Sequence, residues 1–170
     1  MSETFKEYLI KQKKSSTDIL AQIGLVVATI ILIGVAFMLG GDFIGPILIV
    51  GILFGAGFLF SRFSREYEYI LTNNELDIDV IYNRSRRKRV MTIDMKKIEI
   101  MANIKDERHQ SELNKGYKVV NVSDNSKDEN TYVIMTQTPA KGACKVIFSP
   151  NEAFVNDLFR QAPNKVFKKI

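Results

Sequence analysis

The sequence predicts a membrane protein in which an α-helical transmembrane hairpin precedes an α+β domain of antiparallel strands and one closing helix. Three observations support this prediction. Asp42 is the only charged residue between residues 19 and 60. After residue 66 the hydrophobic period changes from helical to alternating, as expected for strands. Near the C-terminus, an amphipathic stretch with a helix-start signal predicts the closing helix.

Two apolar runs between residues 19 and 60 are each long enough to cross a bilayer as a helix. The first run is Ile19–Leu39, and the second is Phe43–Phe60. A helix rises about 1.5 Å per residue, so each run covers close to the roughly 30 Å hydrocarbon thickness of a bilayer. Glycines and Asp42 between the runs predict a tight turn. A cleaved signal peptide is a poorer interpretation, because the second run would stay unexplained.

Lysine and arginine residues near the ends of the runs predict the orientation. Lysines precede the first run at positions 6, 11, 13 and 14, Arg62 and Arg65 follow the second run, and the turn has neither residue type. We therefore expect a multi-pass protein of the cell membrane with two spans and with both termini in the cytoplasm. Residues 1–18 would form a cytoplasmic segment that either lies on the inner membrane surface or is a solvated tail.

Small residues recur at a spacing of four in both runs, at Gly24 and Ala28 and again at Gly51 and Gly55. This spacing lets two helices approach closely. Two interpretations stay open. The residues either mediate specific packing, within the hairpin or between chains, or reflect the ordinary abundance of glycine in membrane helices.

Residues 62–162 are predicted to form the α+β domain, with seven short antiparallel strands. In chain order the strand segments are EYEYIL, ELDIDVIY, RRKRVMTID, IEIMANI, GYKVVNVSD, TYVIMTQ and CKVIFS. The polar run at residues 105–114 is predicted to be a long loop. SPNE, at residues 149–152, has the pattern of a capping box and predicts the closing helix, which ends at Pro163 before a basic tail at 163–170. Such a set suits a bent sheet or small barrel.

The segment YEYILTNNELDIDVIYNRSRRKRVMTIDMKKIEIM, residues 67–101, resembles the opening of bacterial pleckstrin-homology-like (PH-like) domains. The matching positions are Leu71-Thr72, Leu76, Ile93 and Ile98. The resemblance covers roughly residues 62–162 and implies a seven-stranded PH-like fold capped by a C-terminal helix. Such bacterial domains are often tethered behind two transmembrane helices, so the resemblance implies a scaffold and a location more than an activity. The loop at residues 71–75 has no basic residue, which argues against inositol phosphate recognition there.

One stretch in the predicted second hairpin is strongly basic: YNRSRRKRV contains Arg84, Arg86, Arg87, Lys88 and Arg89. It is either a solvated turn neutralised by Asp77 and Asp79 on the partner strand, a contact for anionic lipid headgroups, or a contact for an acidic protein surface. A hairpin loop of three residues places Asp79 opposite Arg89, and a loop of two places Val80 there. Nucleic acid is not expected, since stacking aromatics are not interleaved with these cations.

The residue types of enzymes and metalloproteins are sparse in this chain. It has one cysteine, Cys144, and one histidine, His109, and no phosphate-binding loop or catalytic motif. We expect a buried or edge position for Cys144, a solvated His109, no metal and no cofactor. The sequence therefore predicts a membrane-tethered, non-catalytic module that binds a protein partner or a second copy of itself. The alternative is anionic lipid contact through residues 84–89. An enzyme of unknown class is a remote alternative.

Overall fold

The computed structural model of this protein describes residues 5–125, 130–139 and 141–169. Within these residues the strands are β1 (Phe5–Lys11), β2 (Arg65–Thr72), β3 (Glu75–Tyr82), β4 (Arg86–Asp94), β5 (Ile100–Asn103), β6 (Lys118–Asn121), β7 (Tyr132–Thr138) and β8 (Gly142–Phe148). The α-helices are α1 (Ser16–Ser61), α2 (Gln110–Leu113) and α3 (Glu152–Gln161), and a 3-10 turn occupies Glu107–His109. The chain divides into a helical unit, residues 14–65 and 82–85, and a sheet unit that contains the rest.

The sheet unit contains two four-stranded sheets around one apolar core. The strand orders are β1-β2-β3-β4 and β5-β7-β8-β6. Alternating residues of these strands fill the core, with Tyr69, Leu71, Ile78, Ile93 and Phe148 among its largest buried side chains. The α+β architecture with a C-terminal helix therefore agrees with the predicted class.

The N-terminal segment differs from both predicted alternatives, because residues 5–11 are neither a solvated tail nor a surface helix. They form β1, which pairs antiparallel with β2, and Tyr8 lies opposite Tyr69. The ring of Tyr8 lies 6.1 Å from that of Tyr69 and 6.2 Å from that of Phe154. Apolar and polar residues do not alternate strictly in FKEYLIK, and the partner of this strand is distant in the sequence, so local periodicity does not predict the strand.

The second sheet departs from the prediction in one pairing and in its flanking segments. Strand β6 pairs parallel with β8, whereas all seven strands were expected to be antiparallel. The predicted loop at 105–114 contains the 3-10 turn and α2, which buries Leu113. The predicted basic tail pairs with β5: Met101 N–H donates to Lys165 O at 2.7 Å, and Phe167 N–H donates to Met101 O at 2.7 Å.

The closing helix α3 begins two residues later than the predicted capping box. Asn151 is its N-cap and accepts a hydrogen bond from Phe154 N–H at 2.8 Å. Ser149 instead donates to Asp124 at 2.9 Å in the buried interior. The helix buries Phe154, Val155 and Leu158, the apolar stripe expected from the sequence. It ends before Pro163, as expected.

In the helical unit, one long apolar helix, α1, stands where the sequence predicts two. Its backbone leaves helical geometry at Gly41, which has a φ of 56°, so the break falls within the predicted turn. By length and composition α1 is a candidate to cross a membrane. At Gly24, Gly51 and Gly55, a Cβ would have no neighbouring atom within 4 Å apart from the helix's own nearby backbone. A close approach occurs at the break, where a Cβ on Gly40 would lie 2.5 Å from Gly45 N.

Candidate functional site

The tip of the hairpin between β3 and β4 is a tight turn in the helical unit. Ser85 N–H donates to Tyr82 O at 3.1 Å, and both central residues, Asn83 and Arg84, have positive φ, at 48° and 55°. Positive φ at both central positions is the requirement of a type I′ turn, whose twist matches that of the flanking strands. Asparagine tolerates this conformation well, whereas arginine adopts it at a cost.

This turn is hydrogen-bonded to the segment that immediately follows α1. Asn83 N–H donates to Ser64 O at 3.0 Å. Ser64 is three residues beyond Ser61, where α1 ends. The basic turn therefore lies close to the C-terminal end of the apolar helix.

Two of the five basic residues are neutralised by acids of the sheet unit. Arg87 lies 2.7 Å from Glu68, and Arg89 lies 2.7 Å from Asp77. Arg89 also contacts Asp79, and this hydrogen bond raises the pKa of Arg89 above its ordinary value. Three residues separate β3 from β4, which is the longer of the two predicted loop lengths.

The other strand residues of the basic stretch, Arg86 and Lys88, are exposed. Neither has an ion-pair partner among the residues that the structure describes. They alternate along the strand with Arg87 and Arg89, which contact the acids. The exposed basic side chains without an ion pair in the described part of this stretch are therefore Arg86 and Lys88.

His109 is largely buried and Cys144 is fully buried. His109 is not solvated as predicted: its side chain is 15% exposed, its ring lies 4.0 Å from that of Phe167, and Nδ1 is 3.2 Å from Asp106. Cys144 is buried in β8, as expected, and burial raises the pKa of its thiol. Over the described ranges, no three side chains of His, Cys, Asp or Glu form a group that could hold a metal ion.

An acidic face on the outside of the first sheet was not predicted from the sequence. Glu66, Glu68 and Asp79 are buried there, with exposed fractions of 7%, 1% and 3%. In the sequence these acids alternate with core residues and resemble an ordinary solvated face. The sequence feature that could have indicated this burial is strand β1, which pairs with β2 and places Leu9 opposite Glu68.

Two four-stranded sheets, one of them with a parallel pair, and a C-terminal helix define an α+β domain of the PH-like class. The family model described as bacterial PH-like domain (DUF6106) matches residues 2–168. The chain therefore belongs to this family. The match begins before β1, in agreement with the place of that strand in the fold. No curated protein matches the chain.

Proposed function

We propose that this protein is a membrane-tethered, non-catalytic interaction module. Helix α1 forms two membrane spans, and the PH-like domain lies in the cytoplasm, where it binds a protein partner or a second copy of the chain. The observation that supports the tether best is that the apolar helix is inserted between two paired strands. The family supports a binding-type module, and the free sheet edges support a protein ligand.

The strand pairing requires α1 to turn back on itself. Lys11 and Glu66 are direct neighbours across β1 and β2, although α1 separates them in the chain. A straight helix of 46 residues would be about 69 Å long. The connections on either side of α1 are five residue steps each, and together they reach about 36 Å at most. The break at Gly41 provides the required reversal and gives two halves of about bilayer length.

The same pairing supports an arrangement in which both ends of the hairpin emerge on one side of the membrane. Lysines before α1 and Arg62 after it favour the cytoplasmic side. Asp42, the sole charged residue of the apolar region, then lies outside with the turn. Two spans are favoured over one in this proposal, since a single crossing would separate β1 from β2.

Strand edges that have no neighbouring strand among the described residues give the domain a place to bind another protein. Strands β1, β4 and β6 are at sheet edges, whereas the edge of β5 is covered by residues 165–167. Val119 in β6 is 58% exposed, and Phe5 in β1 is 61% exposed. An added strand from a partner satisfies the backbone groups of such an edge, and side-chain pockets supply specificity.

The topology is tested by labelling with a membrane-impermeant maleimide in whole cells. Asp42→Cys is expected to react from outside, and the exposed control Glu75→Cys is expected to react only after permeabilisation. The buried Cys144 stays in place and serves as the unreactive background. Reaction at position 75 in intact cells, or protection at 42 in both conditions, would contradict the proposed arrangement. Crosslinking in cells from a residue of β6 then distinguishes binding of a protein partner from self-association.

A second candidate ligand is anionic lipid, favoured by the hydrogen bond that ties Asn83 to Ser64 beside the end of α1. Each basic residue near an anionic surface contributes about 1 kcal/mol, within a Debye length of about 10 Å. Exposed Arg86 and Lys88 are the residues that supply this attraction.

The lipid candidate is tested on the full chain in nanodiscs, neutral or containing phosphatidylglycerol. Hydrogen exchange of residues 82–90 is expected to slow in the anionic discs at low salt. The double variant Arg86→Ser, Lys88→Ser is expected to lose this effect, and the matched control Lys96→Ser, Lys97→Ser is expected to keep it. Equal exchange in both kinds of disc would leave the hairpin as a solvated turn or a protein contact.

A further inference from the structure

Glu7 and Glu68 are neighbours on the outer face of the first sheet. Leu9 lies opposite Glu68, and Glu7 lies opposite Ile70. Directly opposite residues share a face, and so do alternate residues of one strand. Glu7 is therefore diagonal to Glu68 on this face, and it is close enough to raise the pKa of the Glu68 carboxyl group.

The two carboxyl groups have very different surroundings. Glu7 is exposed, whereas the side chain of Glu68 is 2% exposed. Oε1 of Glu68 accepts a hydrogen bond from Arg87 at 2.7 Å. Oε2 of Glu68 is buried and, within the part of the chain that the structure describes, accepts no hydrogen bond. Two ionised carboxylates cannot bond to each other, because neither has a donor.

The other charged residues on this face do not remove the repulsion between the two carboxylates. They are Lys11 from β1, Glu66 from β2, Asp77 and Asp79 from β3, and Arg87 and Arg89 from β4. Arg89 is engaged by Asp77 and Asp79, and Lys11 lies opposite Glu66. Arg87 is the cation in contact with Glu68, and it is half exposed. Burial raises the pKa of Glu68 to about 7, the bond with Glu7 acts in the same direction, and Arg87 opposes both.

We propose that Glu68 holds a proton and donates it in a hydrogen bond to Glu7, and that loss of this proton loosens β1 from β2. A proton on Glu68 supplies the missing donor and makes the buried group neutral. When the proton leaves to solvent, two negative charges face each other across the pairing of an edge strand. Strand β1 is thus a proton-sensitive element of the domain. This inference is independent of the proposed ligand.

The direction of the pH effect follows from the proton count. Attached β1 keeps the proton up to a pH of about 7, whereas a detached, solvated Glu68 loses it near its ordinary pKa of 4.5. Between these values the attached state binds more protons, so its stability falls as the pH rises. Between pH 6 and pH 8, the ratio of detached to attached β1 should increase by about tenfold.

The test is hydrogen exchange of residues 5–11 in the full chain in neutral nanodiscs, corrected for the intrinsic pH dependence of exchange. In the wild type, protection is expected to fall by about tenfold from pH 6 to pH 8. Glu68→Gln carries a permanent donor, so its protection should be the same at both pH values. Glu75→Gln, an exposed acid elsewhere, should keep the wild-type dependence.

Two results would overturn the inference. One is wild-type protection that does not change between pH 6 and pH 8, and the other is a pH dependence that survives in Glu68→Gln. If Glu68→Gln does not fold, carbon-13 labelling of glutamate carboxyls in the wild type decides the question. A carboxyl that titrates near pH 7 is then the expected result, and titration of all glutamates below pH 5 would refute it.

Discussion

Lys11 and Glu66 lie opposite each other in neighbouring strands, although the whole of α1 separates them in the chain. The apolar helix therefore occupies the position of a hairpin loop between β1 and β2. This relationship explains why the N-terminal residues belong to the domain and why the family match starts at residue 2.

We expect the domain to fold without its apolar helix when β1 is retained. Replacing residues 14–64 by a short Gly-Ser linker should give a soluble chain with a cooperative thermal transition, since the linker joins two antiparallel neighbours. The matched control is a fragment that begins at Arg62 and lacks β1. It should melt at a lower temperature, because Tyr8 no longer covers Tyr69 and Phe154. Equal melting temperatures would show that β1 adds little to the domain.

Removing the guanidinium of Arg89 should be costly, because Asp79 is buried and would lose its partner. We expect Arg89→Ala to lower the free energy of unfolding by about 3 kcal/mol, the usual penalty for an unpaired buried charge. The neighbouring Lys88→Ala should change it by less than about 0.5 kcal/mol. Chemical denaturation of the soluble chain measures both, and similar losses in the two variants would refute the ion-pair assignment.

The positive φ of Arg84 predicts a stabilising substitution. Arg84→Gly converts the turn to Asn-Gly, the preferred pair for a type I′ turn, and should raise the free energy of unfolding by about 1 kcal/mol. Ser85→Gly is the control: it removes a side chain beside the turn without relieving a left-handed residue. A loss of stability in Arg84→Gly would mean that the contacts of the arginine outweigh its backbone strain.

Tyr69 connects the two sheets through its hydroxyl group. It donates to Val122 O at 2.7 Å and accepts from Ser149 N–H at 3.3 Å, and burial raises the pKa of the phenol above its ordinary range. Tyr69→Phe should cost about 1–3 kcal/mol, since a buried carbonyl and an amide lose their partner. Tyr117→Phe loses only a half-buried bond to Glu99 and should cost less in the same denaturation experiment.

The lowered pKa of Asp106 predicts a contribution to stability that is lost in acid. Arg108 and, more weakly, His109 hold the pKa of Asp106 well below its usual value of 3.8, against the effect of burial. A depressed pKa stabilises the fold above the unfolded value and loses that effect as the pH falls through the folded value. Asp106→Asn should therefore melt below the wild type at pH 7, and the gap should narrow as the pH falls below about 3.8. A gap that stays constant with pH would contradict this assignment.

Local patterns predicted most of the sheet unit, and long-range pairing accounts for most of what they missed. The alternation in ELDIDVIY and the stripe of Phe154 and Leu158 depend on neighbours in the chain, so they are visible in the sequence. The partner of β1 follows α1, and the parallel partner of β6 is β8, so neither can be inferred from a local period. The same limit applies to the basic stretch, because strand pairing determines which of its basic residues form ion pairs with acidic residues.

The insertion of α1 between β1 and β2 has a consequence for biosynthesis. The ribosome delivers β1 first, but the strand has no partner until α1 has been made and the chain has returned. Completion of the first sheet is therefore a late event that follows placement of the apolar segment. A molecule in which that segment is misplaced leaves Tyr69 and the edge of β2 uncovered, and it presents an open strand to the proteases that survey newly made chains.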